Sequence, residues 1–340
     1  MDVFDSSRQT GREFWRLISE PNTVLRVLHR IGRMPAEFRY HFKERPSGYE
    51  LNMCGILGYT LPGLDGDPGA LFSKLAKVVP GFPTQEPRDH CFKLFDLLAR
   101  LSGKGKWVER SGASAFFAAD LVDSFSGMPI VYLDRDCVDT AVSVSRSPIL
   151  VLFQIGLLIA EDIGINPYAS NFDCGYQNTP PRIVQLLPEC ITAEIFDSFI
   201  GAPATMKRAI LYLARMHHIS EAVLEHVPAG ILLRVRYEDL VRAPEDCLRR
   251  VGEFLGISDC GEWVDEMTPR VNLRPPGIPL DDRQRGELYE LFNMLISDPS
   301  MLGRGRIGEV MDRVRRYGTQ TALQYATLER RGDGRKHARD

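Results

Sequence analysis

Basic, hydroxyl and aromatic side chains follow three segments of this chain that have the composition of β-strands. Arg110 and Ser111 follow the first segment, Arg135 follows the second with Ser143 eight residues later, and Tyr237 follows the third. A guanidinium can bind a phosphate with two parallel hydrogen bonds, and a serine hydroxyl adds a neutral donor. A tyrosine ring can stack on an adenine or pack against its edge. These residue types predict a site for a nucleotide with extra phosphates, as one anion-site hypothesis among several.

The three segments belong to a pattern in which strands alternate with helices. The predicted strands are Lys106–Arg110, Pro129–Asp134 and Ile231–Arg236, and the helices after them are predicted over 115–124, from Asp136 onward, and over Pro244–Leu255. This alternation predicts a parallel sheet. In such sheets ligands bind beyond the carboxyl ends of the strands, where helix N-termini converge. The three sets of side chains are therefore expected at one edge of one sheet.

Most of the remaining chain has helical periodicity. Helices are predicted within 12–45 and over 87–101, 182–200, 206–227 and 281–297, whereas the glycine- and proline-rich segment 46–69 predicts a long loop with one short helix. The longest apolar run, 148–160, is too short to span a bilayer and predicts a buried helix.

The bulk composition excludes several classes of protein. The chain has 340 residues, of which 44% are hydrophobic and 26% charged, as in an ordinary globular protein. A formal net charge of −3 and a pI near 6.2 argue against a nucleic-acid binder or a polybasic membrane-surface protein. The cysteine count is odd, at 7, and no pair is spaced C-x-x-C, which argues against a disulfide framework or a structural zinc site. No apolar signal segment is visible at the N-terminus, so we predict a cytoplasmic protein without a membrane span.

Three sequence blocks, spread over 107–256, occur in the order of a known family. Trp107–Gly112 contains Glu-Arg-Ser-Gly, and Tyr132–Ser143 has an Arg that ends a strand, an Asp that opens a helix and a Ser eight residues after the Arg. Val235–Gly256 contains Arg-Tyr-Glu-Asp-Leu, then a proline, and ends in Phe-Leu-Gly. Together the blocks resemble those of sulfotransferases that use 3′-phosphoadenosine 5′-phosphosulfate (PAPS). The first block is most similar to bacterial members.

The resemblance implies a role for each matching position. Arg135 and Ser143 would bind the 3′-phosphate of PAPS, and Tyr237 would lie beside the adenine. Ser111 would add a cofactor-binding hydroxyl. Arg110 would lie near the 5′-phosphosulfate and act in catalysis.

The implied reaction also needs a general base and an acceptor. Glu109 is the candidate base nearest the predicted site in sequence, and Glu37 and His41 are weaker candidates. The resemblance implies a small-molecule or glycan acceptor with a hydroxyl or amine group, and no metal. No recognisable motif encodes the acceptor or the oligomeric state.

One block of the family has no counterpart in this sequence. Sulfotransferases begin with a strand and a glycine-rich loop resembling G-x-x-R-S-G-T-T, which holds the 5′-phosphosulfate. Either the true start lies upstream, or the chain is a naturally shortened relative. The alternative function is therefore an inactive sulfotransferase-like protein that binds PAP, the desulfated product, or a protein partner. A nucleotide kinase is disfavoured because G-x-x-x-x-G-K-[ST] does not occur.

These interpretations combine into one fold hypothesis. We expect an α/β protein whose single sulfotransferase-like domain, over 12–303, is P-loop-like, with helices on both faces of a parallel sheet. Residues 12–105 would form an added helical cap and 106–303 the parallel-sheet core. Residues 304–340 would form a C-terminal tail that is partly disordered.

The site residues also have interpretations that need no ligand. Arg135 could pair with Asp134 or Asp139, and Tyr237 could be a core tyrosine whose hydroxyl reaches the surface. Glu109–Arg110 could be a local ion pair.

Two further features have a structural interpretation. Cys137, beside Arg135 at a helix start, is interpreted as a small buried thiol rather than a reactive one. His217 and His218 are adjacent on a predicted helix, where neighbouring side chains point about 100° apart, so they are interpreted as structural.

Overall fold

The computed structural model describes residues 8–40, 53–110, 115, 118–168, 179–271 and 280–302. The predicted cofactor residue Ser111, the candidate base His41 and the predicted tail 304–340 lie outside the described residues.

The described chain is mostly helical and contains one small parallel sheet, which confirms a mixed helix-and-strand fold. The helices are α1 (Gly11–Ser19), α2 (Thr23–Arg30), α3 (Pro68–Val78), α4 (Pro87–Leu101), α5 (Ala118–Ser124), α6 (Cys137–Val144), α7 (Pro148–Ile163), α8 (Pro181–Val184), α9 (Ala193–Asp197), α10 (Pro203–Leu224), α11 (Tyr237–Arg242), α12 (Pro244–Phe254), α13 (Cys260–Met267) and α14 (Asp282–Ser297). The strands are β1 (Ile130–Asp134) and β2 (Leu232–Arg236).

The chain divides into two compact units, each formed by two stretches of sequence. Unit 1 comprises Met1–Glu109 and Val144–Thr205, and unit 2 comprises Arg110–Ser143 and Met206–Asp340. The predicted division into a cap over 12–105 and a core over 106–303 stays a prediction.

Unit 1 has a hydrophobic core around α7. The apolar run 148–160 forms this helix, as predicted, and its side chains Val151, Leu152 and Ile155 are almost completely buried. A helix that is apolar on all sides is stable in water only when other elements cover it. Buried residues of α2, including Leu28, and of the segment around α8 and α9 pack against it.

A second hydrophobic cluster of unit 1 forms around α4, which matches the predicted helix 87–101 in both bounds. Leu94 and Leu98 of α4 pack with Phe14 of α1. His90, also on α4, is fully buried, and its ring stacks on Phe14 with centroids 4.7 Å apart. The His90 Nε2 lies 2.8 Å from the backbone oxygen of Gln9, so the histidine ties α4 to the segment before α1.

Two predicted elements of unit 1 differ in the structure. The predicted helix 182–200 is two short helices, α8 and α9, because Pro188 has no N–H with which to continue a helix and Thr192 caps a new one. The predicted loop 46–69 contains, among its described residues, a π-helical turn at Ile56–Thr60 followed by a 3₁₀ turn at Leu61–Gly63.

The predicted strand Lys106–Arg110 was wrong, because this segment has no strand structure. Its tryptophan, Trp107, packs on α4 against Phe95 with ring centroids 4.8 Å apart, and its Nε1 donates to Asp96 at 2.9 Å. These contacts hold the segment against a helix rather than beside a strand. Val108 is 75% exposed, so this apolar side chain of the segment is not buried.

Unit 2 contains the sheet. β1 and β2 are parallel, as predicted, and pair in register from Ile130 opposite Leu232 to Asp134 opposite Arg236. Among the described residues the sheet has these two strands. One side of the pair packs against Val122 of α5 and against Val223 and Leu224 at the end of α10. Arg234 also fixes β2 to α10, since its guanidinium makes two hydrogen bonds to Glu221, of 2.7 and 2.9 Å.

The other side of β1 is less covered. Val131 and Leu133 of β1 alternate with the covered residues, so they point to the opposite side of the sheet. They are 36% and 53% exposed.

We predict that shortening a buried side chain of α7 destabilises unit 1. Ile155→Ala should lower the free energy of unfolding by about 2–5 kcal/mol, because it removes buried methyl groups and leaves a cavity. The matched control is Ile165→Ala, whose side chain is 42% exposed and whose loss should cost about 0.5 kcal/mol or less. Urea unfolding followed by circular dichroism measures both. Equal effects of the two substitutions would contradict the described burial of α7.

Candidate functional site

The register of the two parallel strands sets the geometry of the candidate site. Both strands end at the pair Asp134–Arg236, so the next residues along the chain, 135–136 and 237–238, leave the sheet side by side. Parallel strands run in the same direction, so these four residues lie at the carboxyl edge of the pair. We call residues 135–136 and 237–238 the rim.

The first rim contact is between Arg135 and Tyr237. The guanidinium carbon of Arg135 lies over the Tyr237 ring, 4.6 Å from its centroid. A cation–π contact of this kind contributes about 0.5–2 kcal/mol and does not use the N–H donors of the guanidinium. Among the described residues no carboxylate forms an ion pair with Arg135, and Asp134 instead accepts the Arg135 backbone N–H at 2.9 Å. Arg135 is therefore held in place while its donors remain available to an anion.

The second rim contact joins Asp136 to Glu238. The backbone N–H of Asp136 donates to Glu238 Oε1 at 2.8 Å. Asp136 also caps α6, since its Oδ1 accepts the Asp139 N–H at 2.8 Å and its carbonyl accepts the Thr140 N–H at 2.9 Å. A carboxylate at this position stabilises a helix N-terminus. The rim thus fixes both the end of β1 and the start of α6.

The helix α14 contacts the start of α6 from a distant part of the sequence. The Tyr289 hydroxyl donates to Asp136 Oδ2. Arg285 pairs with Asp139 at 3.0 Å and lies 3.8 Å from Asp136 Oδ1. A hydrogen bond with Tyr289, and the ion pair with Asp139, raise the pKa of Arg285, so this side chain is held as a cation. Burial raises the pKa of Tyr289, as does its hydrogen bond to Asp136, so its hydroxyl remains a donor.

The other acidic side chains near Arg135 also have partners. Glu238 Oε2 lies 3.7 Å from the Arg236 Nε, and Asp239 lies 3.5 Å from Arg242. The carboxylates of Asp136, Asp139, Glu238 and Asp239 thus each have a partner other than Arg135 among the described residues.

Ser143 lies near the end of α6 and is exposed. It is four residues after Asp139, so the two side chains share one face of the helix. From Cys137, where α6 begins, the helix advances about 9 Å to Ser143. The predicted pairing of Ser143 with Arg135 on one phosphate stays a prediction.

The predicted catalytic residues belong to segments of the chain other than the rim. Arg110 is exposed and, among the described residues, makes no hydrogen bond or ion pair. Glu109 is exposed at the end of the segment after α4, and Glu37 is exposed before the undescribed segment that contains His41. Ser111 lies outside the described residues. The roles of these residues stay predictions.

Cys137 is the first residue of α6, and its thiol is partly buried. Burial, followed by the nearby Asp136 carboxylate, raises the pKa of Cys137 to about 11. This thiol is therefore protonated at neutral pH, which agrees with its interpretation as a structural cysteine.

Sequence reasoning missed Glu238, Arg285 and Tyr289 as contributors to the site. Glu238 follows β2 directly, so its position after a predicted strand was an available signal. Arg285 and Tyr289 are 146 and 153 residues from the α6 groups that they contact. No local pattern in the sequence indicates a contact over such a separation.

Unit 1 contains a cavity of about 380 Å³ that is separate from the predicted site residues. Its lining is mostly apolar, with a few polar side chains: Leu17, Ile18, Glu20, Asn22, Gly55, Ile56, Thr60, Leu94, Phe95 and Leu98.

The fold and the rim define a helix-rich protein with a parallel strand pair whose carboxyl edge carries an arginine that has no acidic partner among the described residues. In a comparison with protein families, residues 192–260 match the model of the Sulfotransferase family. This match confirms the predicted resemblance to sulfotransferases and includes the third motif block, Val235–Gly256, with Tyr237 and Glu238. Sulfuryl transfer is the general activity of that family.

Other comparisons add no relative. No curated protein and no solved structure matches the chain significantly. Within the described ranges, no single helix has both the length and the apolar composition needed to cross a bilayer; α6 and α7, a bent pair, meet those criteria only when taken together.

We predict that Cys137 reacts slowly with alkylating reagents. At pH 8 a thiol with a pKa of about 11 is about 0.1% thiolate, and the thiolate is the reactive form. The exposed Cys190 is the internal control. Peptide mass spectrometry after timed treatment with iodoacetamide should show Cys190 labelled well before Cys137. Equal labelling rates would show that the start of α6 is open or that Cys137 is activated.

Proposed function

We propose that this protein transfers a sulfuryl group from PAPS to a hydroxyl or amine group of a small-molecule or glycan acceptor. One observation carries the proposal: Arg135 lies over Tyr237 at the carboxyl edge of a parallel strand pair, without a carboxylate partner among the described residues. The sulfotransferase-family match of residues 192–260 supports it. The proposal includes a P-loop-like three-layer arrangement as the fold of the whole domain.

The rim residues fit a nucleotide that carries a ribose-linked phosphate. Arg135 can present two N–H donors to that phosphate, and Ser143 would add a hydroxyl from α6. The Tyr237 ring has one face against Arg135. Its edge or its other face would meet the adenine, and Ser111 would donate to the cofactor from the segment after Arg110.

In this transfer the protein mainly has to align the reactants and stabilise developing charge, and it takes little part in covalent bonding. PAPS supplies the sulfuryl group: the acceptor oxygen or nitrogen bonds to sulfur as the bond from sulfur to the 5′-phosphate oxygen breaks, and PAP leaves. Arg110 would offset the negative charge on that bridging oxygen. Glu109 would take the proton of the acceptor.

The cysteines agree with a reducing compartment. The cysteines among the described residues are free thiols. We therefore propose a cytoplasmic location.

We predict that PAP stabilises the protein through Arg135. At 100 times its dissociation constant, a ligand should add about 2.7 kcal/mol to the free energy of unfolding, which raises the melting temperature by several degrees. Arg135→Ala should abolish this shift, because the guanidinium is the proposed phosphate ligand. The control Arg270→Ala removes an arginine whose pair with Glu266 is exposed on the surface, and its shift should equal that of the wild type. Differential scanning fluorimetry measures all three proteins.

Two outcomes separate the alternatives. A melting temperature that does not respond to millimolar PAP would exclude the cofactor site. A response to PAP without transfer of ³⁵S from labelled PAPS to any of a panel of phenols, alcohols, amines and glycans would favour the inactive PAP-binding protein.

We predict that the Tyr237 ring, rather than its hydroxyl, supports PAP binding. Tyr237→Ala should weaken binding by about 2- to 30-fold, since it removes the ring face that holds Arg135. Tyr237→Phe keeps that face and should bind PAP within about twofold of the wild type. Isothermal titration calorimetry measures both dissociation constants. A large loss in Tyr237→Phe would indicate that the hydroxyl is the important group and would contradict the stacking role.

A further inference from the structure

A carboxylate close to Arg135 in sequence could compete with an external anion for its guanidinium. Arg135 lies one residue before the N-cap of α6, and Asp139 lies in the first turn. The two are four residues apart, a separation at which arginine and aspartate commonly pair near a helix. An arginine that is paired with its own neighbouring carboxylate has fewer donors for an external anion.

In the structure Asp139 has a different partner. Its Oδ1 accepts a hydrogen bond from Arg285 Nη1 at 3.0 Å, and the two side chains are 27% and 30% exposed. The Arg285 guanidinium is itself fixed, since Nη2 lies 3.4 Å from the Tyr289 hydroxyl. The same hydroxyl donates to Asp136, the other carboxylate next to Arg135.

We propose that α14 keeps Arg135 available to an external anion, because Arg285 and Tyr289 occupy the carboxylates of Asp139 and Asp136 that Arg135 would otherwise bind. This inference rests on the proposed function, since the anion is taken to be the 3′-phosphate of PAPS. Arg285 is then a positioning residue, which acts on the ligand through Asp139 and Arg135 without touching it.

The arrangement has a direct consequence for substitution. Without Arg285, Asp139 becomes a mostly buried carboxylate that lacks a cation, and Arg135 is the nearest replacement along the chain. Arg135 would leave the Tyr237 ring to pair with it, and anion affinity would fall. Removing the charge of Asp139 as well would remove the competitor, so Arg135 would return to the ring.

The experiment compares PAP affinity in four variants and the wild type by isothermal titration calorimetry. Arg285→Ala should raise the dissociation constant by about three- to tenfold, the range expected for one partly buried charged interaction. The double variant Arg285→Ala, Asp139→Asn should return to within about twofold of the wild type, and Asp139→Asn alone should bind at least as well as the wild type. Arg283→Ala is the matched control on the same helix, because Arg283 is 88% exposed and pairs only with Glu287 among the described residues.

A second readout needs no ligand. The Nε–Hε resonance of Arg135, assigned with Arg135→Lys, should carry a ring-current shift from Tyr237. The shift should be lost in Arg285→Ala and restored in the double variant. A purely structural role for Arg285 predicts no such recovery, because the second substitution would remove a further contact of α6.

The outcomes test the role of α14 and the proposed function separately. A double variant that binds PAP no better than Arg285→Ala, with an Arg135 resonance that stays shifted throughout, overturns the role of α14. A wild type that does not bind PAP, with a resonance that responds as expected, overturns the proposed function while confirming that Arg285 controls the position of Arg135.

Discussion

The structure of the site depends on the in-register pairing of two parallel strands. Because Asp134 lies opposite Arg236, the residues that follow each strand are neighbours, and an arginine meets an aromatic ring. A shift of one residue in this register would turn the side chains of one strand to the other side of the sheet and separate the pair. The packing of α5 and α10 on the covered side, with the bidentate contact of Arg234 and Glu221, fixes that register.

Electrostatic balance is the second constraint. The rim region is rich in carboxylates, yet a site for a phosphate needs a cation whose charge is not neutralised. Each of these carboxylates has another partner. Asp136 caps α6 and accepts the Tyr289 hydroxyl, Asp139 pairs with Arg285, and Glu238 accepts a backbone N–H. The role of an acidic side chain here is to order the backbone around Arg135.

The sequence predicts those parts of the molecule that local chemistry controls. The alternation of strands and helices gave both observed strands, and the position of Arg135 and Tyr237 directly after them predicted that they lie together. The strand predicted over 106–110 does not form, because the contacts of Trp107 with α4 outweigh the weak strand preference of five residues. The contacts of α14 could not be predicted, since nothing near Arg285 or Tyr289 in sequence indicates which distant helix they reach. The roles of Arg110, Glu109 and Ser111 stay predictions from the sequence.

The uncovered side of β1 affects how the purified chain should behave. Val131 and Leu133 present aliphatic surface on a short strand, which is the composition that favours association between strands of different molecules. Concentrated samples are therefore expected to lose material to aggregates that grow through this strand. A lysine in place of Leu133 would oppose that growth without touching the arginine and tyrosine at the strand ends, and it would give a better-behaved sample for crystallisation.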